Sequence, residues 1–417
     1  MKSLRKVFIL MALFSGIRSY AQFELYGIVR PRAEYRNGYS TLRDTMLDAA
    51  TFVSQRTRLG IKYANENIKM RIVFYDARVW GDQALKSDVS SVGLAEGWVE
   101  IGLSEYIALR IGRQSLAYGN YRLMSPVNWN QIGASHDLIL FKYKKADLVF
   151  DFGAAYNQSG QNKFGSDYSD LLANYRTMNF IWLSKQFGKT NMVFQGFLDG
   201  YQKEGTESTI YMRYTGGFIA KYKNNGHHLT GRGFYQGGKL QTGEDVSAWY
   251  ANVDGSLAVS EKITLIGGAE IFSGNNAKDS LKTVDHAFNI LYGSRHKFNG
   301  DMDYFSVPVT TNSAGLVNPY FRMKFDISKK VDLFATYHHF RLFGDYIDKG
   351  ELINKNLGSE FDLKFKARFN SYMKLEGGYA FLLPTQSMSV IKGGDYHEYN
   401  SWAYLMLTID PVFFKKE

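Results

Sequence analysis

From residue 23 onward the chain alternates. Along residues 23–36 the odd positions are Phe23, Leu25, Gly27, Val29, Pro31, Ala33 and Tyr35, while the even ones include Glu24, Arg30, Arg32, Glu34 and Arg36. Successive side chains of a β-strand point to opposite faces, so such a segment presents one apolar and one charged surface. The same period governs residues 359–369, where Phe361, Leu363, Phe365, Ala367 and Phe369 interleave with Glu360, Asp362, Lys364, Lys366 and Arg368. About 18 segments of this kind succeed one another up to residue 410. Each is roughly 9 to 14 residues long, the span that a tilted strand needs to cross a bilayer.

A soluble β-sandwich alternates as well, with its apolar face toward a core. The connections separate the two architectures. Residues 64–66, 103–105, 144–146, 224–227, 260–261, 329–330 and 370–371 are short, and between them fall longer connections at 37–50, 80–91, 116–134, 158–175, 341–358 and 383–397. A short–long rhythm arises when periplasmic turns face extracellular loops across a membrane, and a sandwich has no reason to produce it. The sequence therefore predicts an all-β fold, a transmembrane antiparallel up-and-down β-barrel of about 18 strands, the even number returning both chain ends to one side. Residues 273–317 form the longest connection and carry Phe288, Tyr292, Phe298, Tyr304 and Phe305. Loops of this length are usually functional, and the aromatic content predicts that this extracellular loop folds over or into the barrel mouth.

Residues 1–21 read as a secretory signal peptide. Lys2, Arg5 and Lys6 precede the apolar run 7–13, and cleavage after Ser19-Tyr20-Ala21 would leave residues 22–417 as one barrel domain. A membrane-spanning helix would need about 20 apolar residues, and Gly16 and Arg18 break this run. The segment holds four basic residues and no acid, so the formal charge falls from +10 to +6 once it is removed. A mildly basic chain with its cations dispersed among acids lacks the concentrated face that nucleic-acid binding requires. Abundant aromatics (29 Tyr, 30 Phe) and 40 glycines, combined with low mean hydropathy, suit a wall that is apolar outside and wet inside. The absence of cysteine removes disulfides, thiolate metal sites and cysteine nucleophiles together.

The densest charged constellation lies in the first third: Arg30, Arg32, Arg56, Arg58, Arg71, Asp76, Arg78, Glu96, Glu100, Arg110 and Arg113. Arg30, Arg32, Arg56, Arg58 and Arg110 sit opposite the apolar face and are expected in the lumen. Guanidinium forks match carboxylates, and rings of arginine favour anions in a pore. Glu24, Glu34, Glu96 and Glu100 share that face, so the alternative role is a salt-bridged lining that only satisfies polar groups.

The order of motifs resembles the alginate export family of outer-membrane porins. It comprises Arg30-Pro31-Arg32, then residues 55–60 (QRTRLG), 75–81 (YDARVWG), 112–119 (GRQSLAYG) and 292–305 (YGSRHKFNGDMDYF). The resemblance implies an 18-stranded, monomeric barrel of the bacterial outer membrane, embedded in its lipid and inserted by the barrel-assembly machinery. It also implies a basic constriction that conducts an anionic uronic-acid polymer, with neither cofactor nor enzymatic activity. Arg30, Arg32, Arg58, Arg78 and Arg113 fall in the matching segments. Strict alternation favours Arg110 over Arg113 for the lumen, and a bulge near Gly112 would reconcile them. The family's exporter has a long periplasmic plug, for which the turns 329–330 and 370–371 leave no room. A broader channel for anionic saccharides or small organic acids is therefore equally compatible.

Rival readings find less support. A membrane-embedded hydrolase would need a serine, histidine and acid together on the wall, and no Gly-x-Ser-x-Gly or His-Glu-x-x-His motif accompanies the histidines. Asn299, Asp301 and Asp303 have oxygen-ligand spacing, but the glycine and distal glutamate of a calcium loop are out of register. A barrel used chiefly for surface recognition would rely on residues 273–317.

Overall fold

The computed structural model describes residues 22–416 apart from 87–90, 167, 169–173, 204–205, 207–208 and 280–282, and the expected signal peptide lies outside the described residues. The wall begins with β1 (Gln22–Asn37), β2 (Ala50–Ala64), β3 (Ile68–Val79), β4 (Gly93–Gly102), β5 (Ile107–Gln114) and β6 (His136–Lys145). It continues with β7 (Leu148–Tyr156), β8 (Thr177–Phe187), β9 (Thr190–Gln202), β10 (Ile210–Asn224), β11 (His227–Lys239) and β12 (Asp245–Ala258). The last third is β13 (Ile263–Phe272), β14 (Leu316–Ser328), β15 (Val331–Arg341), β16 (Asn356–Arg368), β17 (Met373–Pro384) and β18 (Asn400–Ile409). Each strand pairs antiparallel with the next. β18 returns to β1, with Asn37 opposite Ser401, and Val412–Lys416 extends that seam past Leu25 opposite Phe414. The sheet is thus a closed 18-stranded up-and-down barrel, in agreement with the sequence.

Alternation decides which atoms meet lipid. On β16, Phe361, Leu363 and Phe365 point outward, whereas Glu360 and Asp362 are buried inside. The outer surface exposes Leu59, Phe74, Leu198, Phe218, Val253 and Leu405, an apolar band that only a bilayer would cover. Aromatic rings border the band at both ends. Tyr35, Tyr156, Tyr214 and Tyr235 lie toward the long loops, and Phe187, Tyr222, Phe369 and Tyr372 toward the short turns. The turns themselves are tight. Asn225 (φ 46°) and Gly226 (φ 82°) take the two left-handed positions of the β10–β11 hairpin, which Asn-Gly adopts with little strain.

The lumen is partly filled. The β13–β14 connection enters the barrel rather than lying across it, and Phe288, Met302, Tyr304 and Phe305 are buried within. The β5–β6 connection also turns inward, burying Leu116, Leu123 and Met124. Nothing in its sequence pattern had distinguished it from the other long connections. A short helix, α1 (Gln386–Lys392), lies in the β17–β18 connection.

Candidate functional site

Even positions of β1 and β2 face inward, and Arg30 stands directly opposite Arg56. Like charges opposite each other across a strand pair repel, so the arginines need compensation. One carboxylate supplies part of it: Glu34 accepts from Arg32 Nε at 2.7 Å and is shared with Arg36. The remaining acceptors are backbone carbonyls of the β5–β6 connection. Arg30 donates to the oxygens of Asn128 (2.8 Å), Trp129 (3.1 Å) and Asn130 (3.1 Å). Arg32 donates to Trp129 O (2.9 Å), Arg58 to Ile132 O (2.8 Å), and Arg56 to Gln131 O (2.5 Å) and Asn130 O. Four guanidiniums thus clasp five consecutive carbonyls. Asn128, Asn130 and Ile132 remain exposed, so this lobe borders open lumen.

The two inserted connections interlock. Ser125 N donates to Tyr292 O (3.1 Å), Tyr292 N to Leu123 O (3.1 Å) and Ser294 N to Tyr121 O (2.8 Å). Trp129 stacks on His296 with ring centroids 3.9 Å apart. The longer connection is tied to the wall by Lys364 Nζ on Asp301 (2.8 Å) and by Met302 N donating to Glu360 (2.9 Å). Burial works to raise the Asp301 carboxyl, but Lys364 and His296 hold it below the usual range. Arg122 forms a buried ion pair with Glu270 beneath the ring of Phe298.

On the short-turn side of the lobe lies a cavity of about 390 Å³ lined by Arg58, Arg71, Glu96, Trp98, Arg110 and Asn128. Glu96 is 3.4 Å from Arg71, and Trp98 Nε1 donates to it at 2.9 Å. Glu100 accepts from Arg110 (2.6 Å) and Lys142 (2.8 Å), and the Arg110 guanidinium lies 4.0 Å from the centre of the Trp98 ring. The Nε atoms of Arg58 and Arg71 are buried without an acceptor. Among the described residues, no carboxylate stands within ion-pair distance of Arg58. Trp98 is new to the charged constellation that the sequence indicated, and Arg71, which that reading gave no face, joins the lumen.

A second cationic surface was also missed. Lys221 on β10, Arg232 on β11 and Arg322 on β14 lie close enough to Lys297 of the inserted connection to act on its charge. Burial and the neighbouring charges of Arg232 and Arg322 lower the Lys297 ammonium below its ordinary value. Arg232 is partnered by Asp254, and Arg322 Nε donates to Thr336 (2.9 Å). The parity rule that selected Arg30 would have selected these strand residues too; Lys297 sits in a loop and carried no such signal.

Two expected lumen residues lie elsewhere. Arg71 and Arg78 differ in parity along β3, and the unbroken β2–β3 register sends Arg71 inward opposite Lys62 and Arg78 outward opposite Gln55. Arg78 is paired with Asp76 on the outer face (2.7 Å). Arg113 also faces outward and pairs with Asp137 (2.9 Å), while Arg110 faces in. The bulge that would have reconciled them lies instead on β4, where the β3–β4 register skips Ala95, so β5 keeps its parity through Gly112. The oxygens of Asn299, Asp301 and Asp303 diverge toward Asn318, Lys364 and His296 rather than converging on one point.

The alginate export family matches residues 24–388. The chain belongs to that family. No curated protein matches it. Among solved structures, this alginate-export-family barrel resembles the outer-membrane protein OpdK of Pseudomonas aeruginosa at TM-score 0.62 and 10% identity, over 94% of this chain and 99% of that one. OccK2 (OpdF) of the same organism, in complex with glucuronate, matches at TM-score 0.60 and 10% identity (94% and 98% covered). Acinetobacter baumannii OccAB4 matches at 0.60 and 12% (95% and 99% covered). The alginate-export-family chain is therefore a channel of the bacterial outer membrane rather than an enzyme.

Proposed function

We propose that the channel conducts anionic solutes, with uronic-acid oligo- or polysaccharides such as alginate and small organic acids as the favoured class. The observation that carries this reading is the cavity below the lobe, where Arg58, Arg71 and Arg110 face a lining with one carboxylate, Glu96, and two guanidinium Nε atoms lack acceptors. A carboxylate would supply those acceptors through charge-assisted bonds, and Trp98 offers an apolar face to a sugar or aromatic ring. Solved structures of the same fold are described with glucuronate and with vanillate, both carboxylates. A passive channel conducts down either gradient, so the reading assigns selectivity and not direction.

The test is a planar bilayer under a salt gradient. The expected reversal potential has the sign of anion preference, and glucuronate should block the current where glucose does not. A cation-selective potential, or equal block by both sugars, would overturn the reading. Neutralising Arg58 and Arg71 together (Arg58→Gln, Arg71→Gln) is expected to lower the anion-to-cation permeability ratio.

A further inference from the structure

We propose that Arg30, Arg32, Arg56 and Arg58 form a latent polycarboxylate site, occupied at rest by residues 128–132 of the chain itself, and that a polyanionic solute opens the lumen by taking their place. This rests on the anion-channel reading above and adds a regulation to it.

The charge balance motivates the inference. Among the described residues, only Arg32 of the four adjacent arginines has an ion-paired carboxylate, Glu34, and Arg30, Arg32 and Arg56 are only 6%, 6% and 2% exposed. Buried charge is normally matched by opposite charge, because removal from water penalises each ion by several kcal/mol. Here neutral amide oxygens stand in, from Asn128, Trp129, Asn130, Gln131 and Ile132 in succession. A carboxylate accepts shorter and roughly twice as strong bonds from a guanidinium fork. The carbonyl row is thus a weaker substitute for the ligand these arginines are built to hold. A solute with two or more carboxylates can engage both strands' arginines at once, and a single carboxylate cannot.

The lobe is built to move as a unit. Ala134 N donates to Pro126 O (2.9 Å), closing its base, and Val127 (φ 46°) and Gly133 (φ 85°) bracket it in the left-handed region. A β-branched residue in that region is strained, so release at Val127 favours departure. The flank is fixed separately, through Ser125 on Tyr292. Of the lobe's side chains, Asn128, Asn130 and Ile132 are exposed, and Trp129 provides the ring contact, on His296 and beneath Arg32. Trp129 also meets Trp402 and Tyr404 edge-on, so displacement must break exchangeable hydrogen bonds and withdraw this one ring from its aromatic cluster, and it leaves the buried Leu123 and Met124 in place.

Amide hydrogen exchange on the unmodified mature protein in detergent tests this directly. Galacturonic-acid trimer is expected to speed exchange across residues 127–133 by about tenfold or more, with maltotriose without effect and monomeric galacturonate weaker than the trimer. Exchange that the trimer leaves unchanged or slows, while the reversal potential stays anion-selective, would remove the latch and leave the channel reading standing; a cation-selective potential would remove both. A second arm uses the absence of native cysteine. Gln131 Nε2 lies 3.0 Å from Ser54 Oγ, and because cysteine is shorter than glutamine the pair Ser54→Cys and Gln131→Cys is bridged with a short bis-methanethiosulfonate reagent, whose disulfide links are reducible. The bridged channel should lose the trimer-induced rise in conductance and regain it on reduction. A rise that persists with the bridge intact overturns the proposal. Should the pair fail to fold or to bridge, the exchange experiment on the unmodified protein still decides it.

Discussion

The two connections that enter the barrel are held by different forces. Residues 286–305 are packed like a protein core. Phe305 lies against Phe340 with ring centroids 4.5 Å apart, Phe288 lies against Tyr250 at 5.6 Å, and Met302 and Tyr304 are fully buried. Residues 127–133 are held mainly by guanidinium–carbonyl bonds, pack a single ring, Trp129, against His296, Trp402 and Tyr404, and leave Asn128, Asn130 and Ile132 exposed. Apolar packing has no competitor in the aqueous lumen, so the first connection is a permanent part of the wall. A hydrogen bond from a guanidinium can pass to any better oxygen acceptor, so the second is conditional on what else the lumen contains.

The largest expected effect tests the packed side of this contrast. Phe305→Ala should destabilise the barrel by about 3–5 kcal/mol, as removal of a buried aromatic does, read as a lower urea midpoint in lipid vesicles. Ile132→Ala at the exposed lobe should leave the midpoint almost unmoved. Equal losses at the two positions would erase the distinction.

The next test concerns charge. Arg122→Gln leaves the buried Glu270 charge without its cation, with only the Tyr250 hydroxyl donating to it, and is expected to lose about 3–5 kcal/mol. Arg56→Gln leaves only neutral carbonyls behind, and its loss should be smaller, on the order of 1–3 kcal/mol. A larger loss at Arg56 than at Arg122 would mean that the lobe is structural after all.

A pH experiment sharpens the anchoring of the packed connection. Lys392 of α1 donates to Tyr304 O (2.8 Å), and burial lowers its ammonium from 10.5 to about 8. The unfolded chain then binds more protons between those values, so stability should rise with pH from about 8 toward 10. The buried phenols of Tyr39 and Tyr304 act in the opposite sense, but only above their ordinary value of 10.0, where the unfolded chain ionises first. The urea midpoint of the wild type should gain on that of Lys392→Met across this window. Parallel midpoints would show that Lys392 is hydrated.

The smallest effect tests the parity of β5. Arg113→Gln on the outer face should change stability by less than about 1 kcal/mol, as exposed ion pairs do, and leave the permeability ratio unaltered. Arg110→Gln should shift that ratio. The reverse result would place the wrong arginine in the lumen.

Several of these assignments were legible in the sequence because they depend on parity alone. Arg30, Arg32, Arg56, Arg58 and Arg110 share the parity opposite the apolar positions of their strands, such as Val29, Leu59 and Ile111, and a strand can send them only inward once lipid claims the other face. Arg78 and Arg113 belong to motifs shared with the family, yet motif membership says nothing about which side of the sheet a residue faces. The registers of β3 and β5 turn both outward. Glu96 faces inward by the same parity as Glu100; just beyond it the β4 register skips Ala95 and turns Leu94 outward, a local irregularity that no spacing rule announced.

The sequence by itself determined the wall: strand count, closure, the apolar exterior and the faces of most charges. These follow from local period and connection length, which each strand carries in its own residues. Only the tertiary structure decided what fills the lumen. Arg30 and Trp129 meet across nearly 100 residues of chain, and a backbone carbonyl, present at every position, leaves no mark in a sequence to show that an arginine will find it.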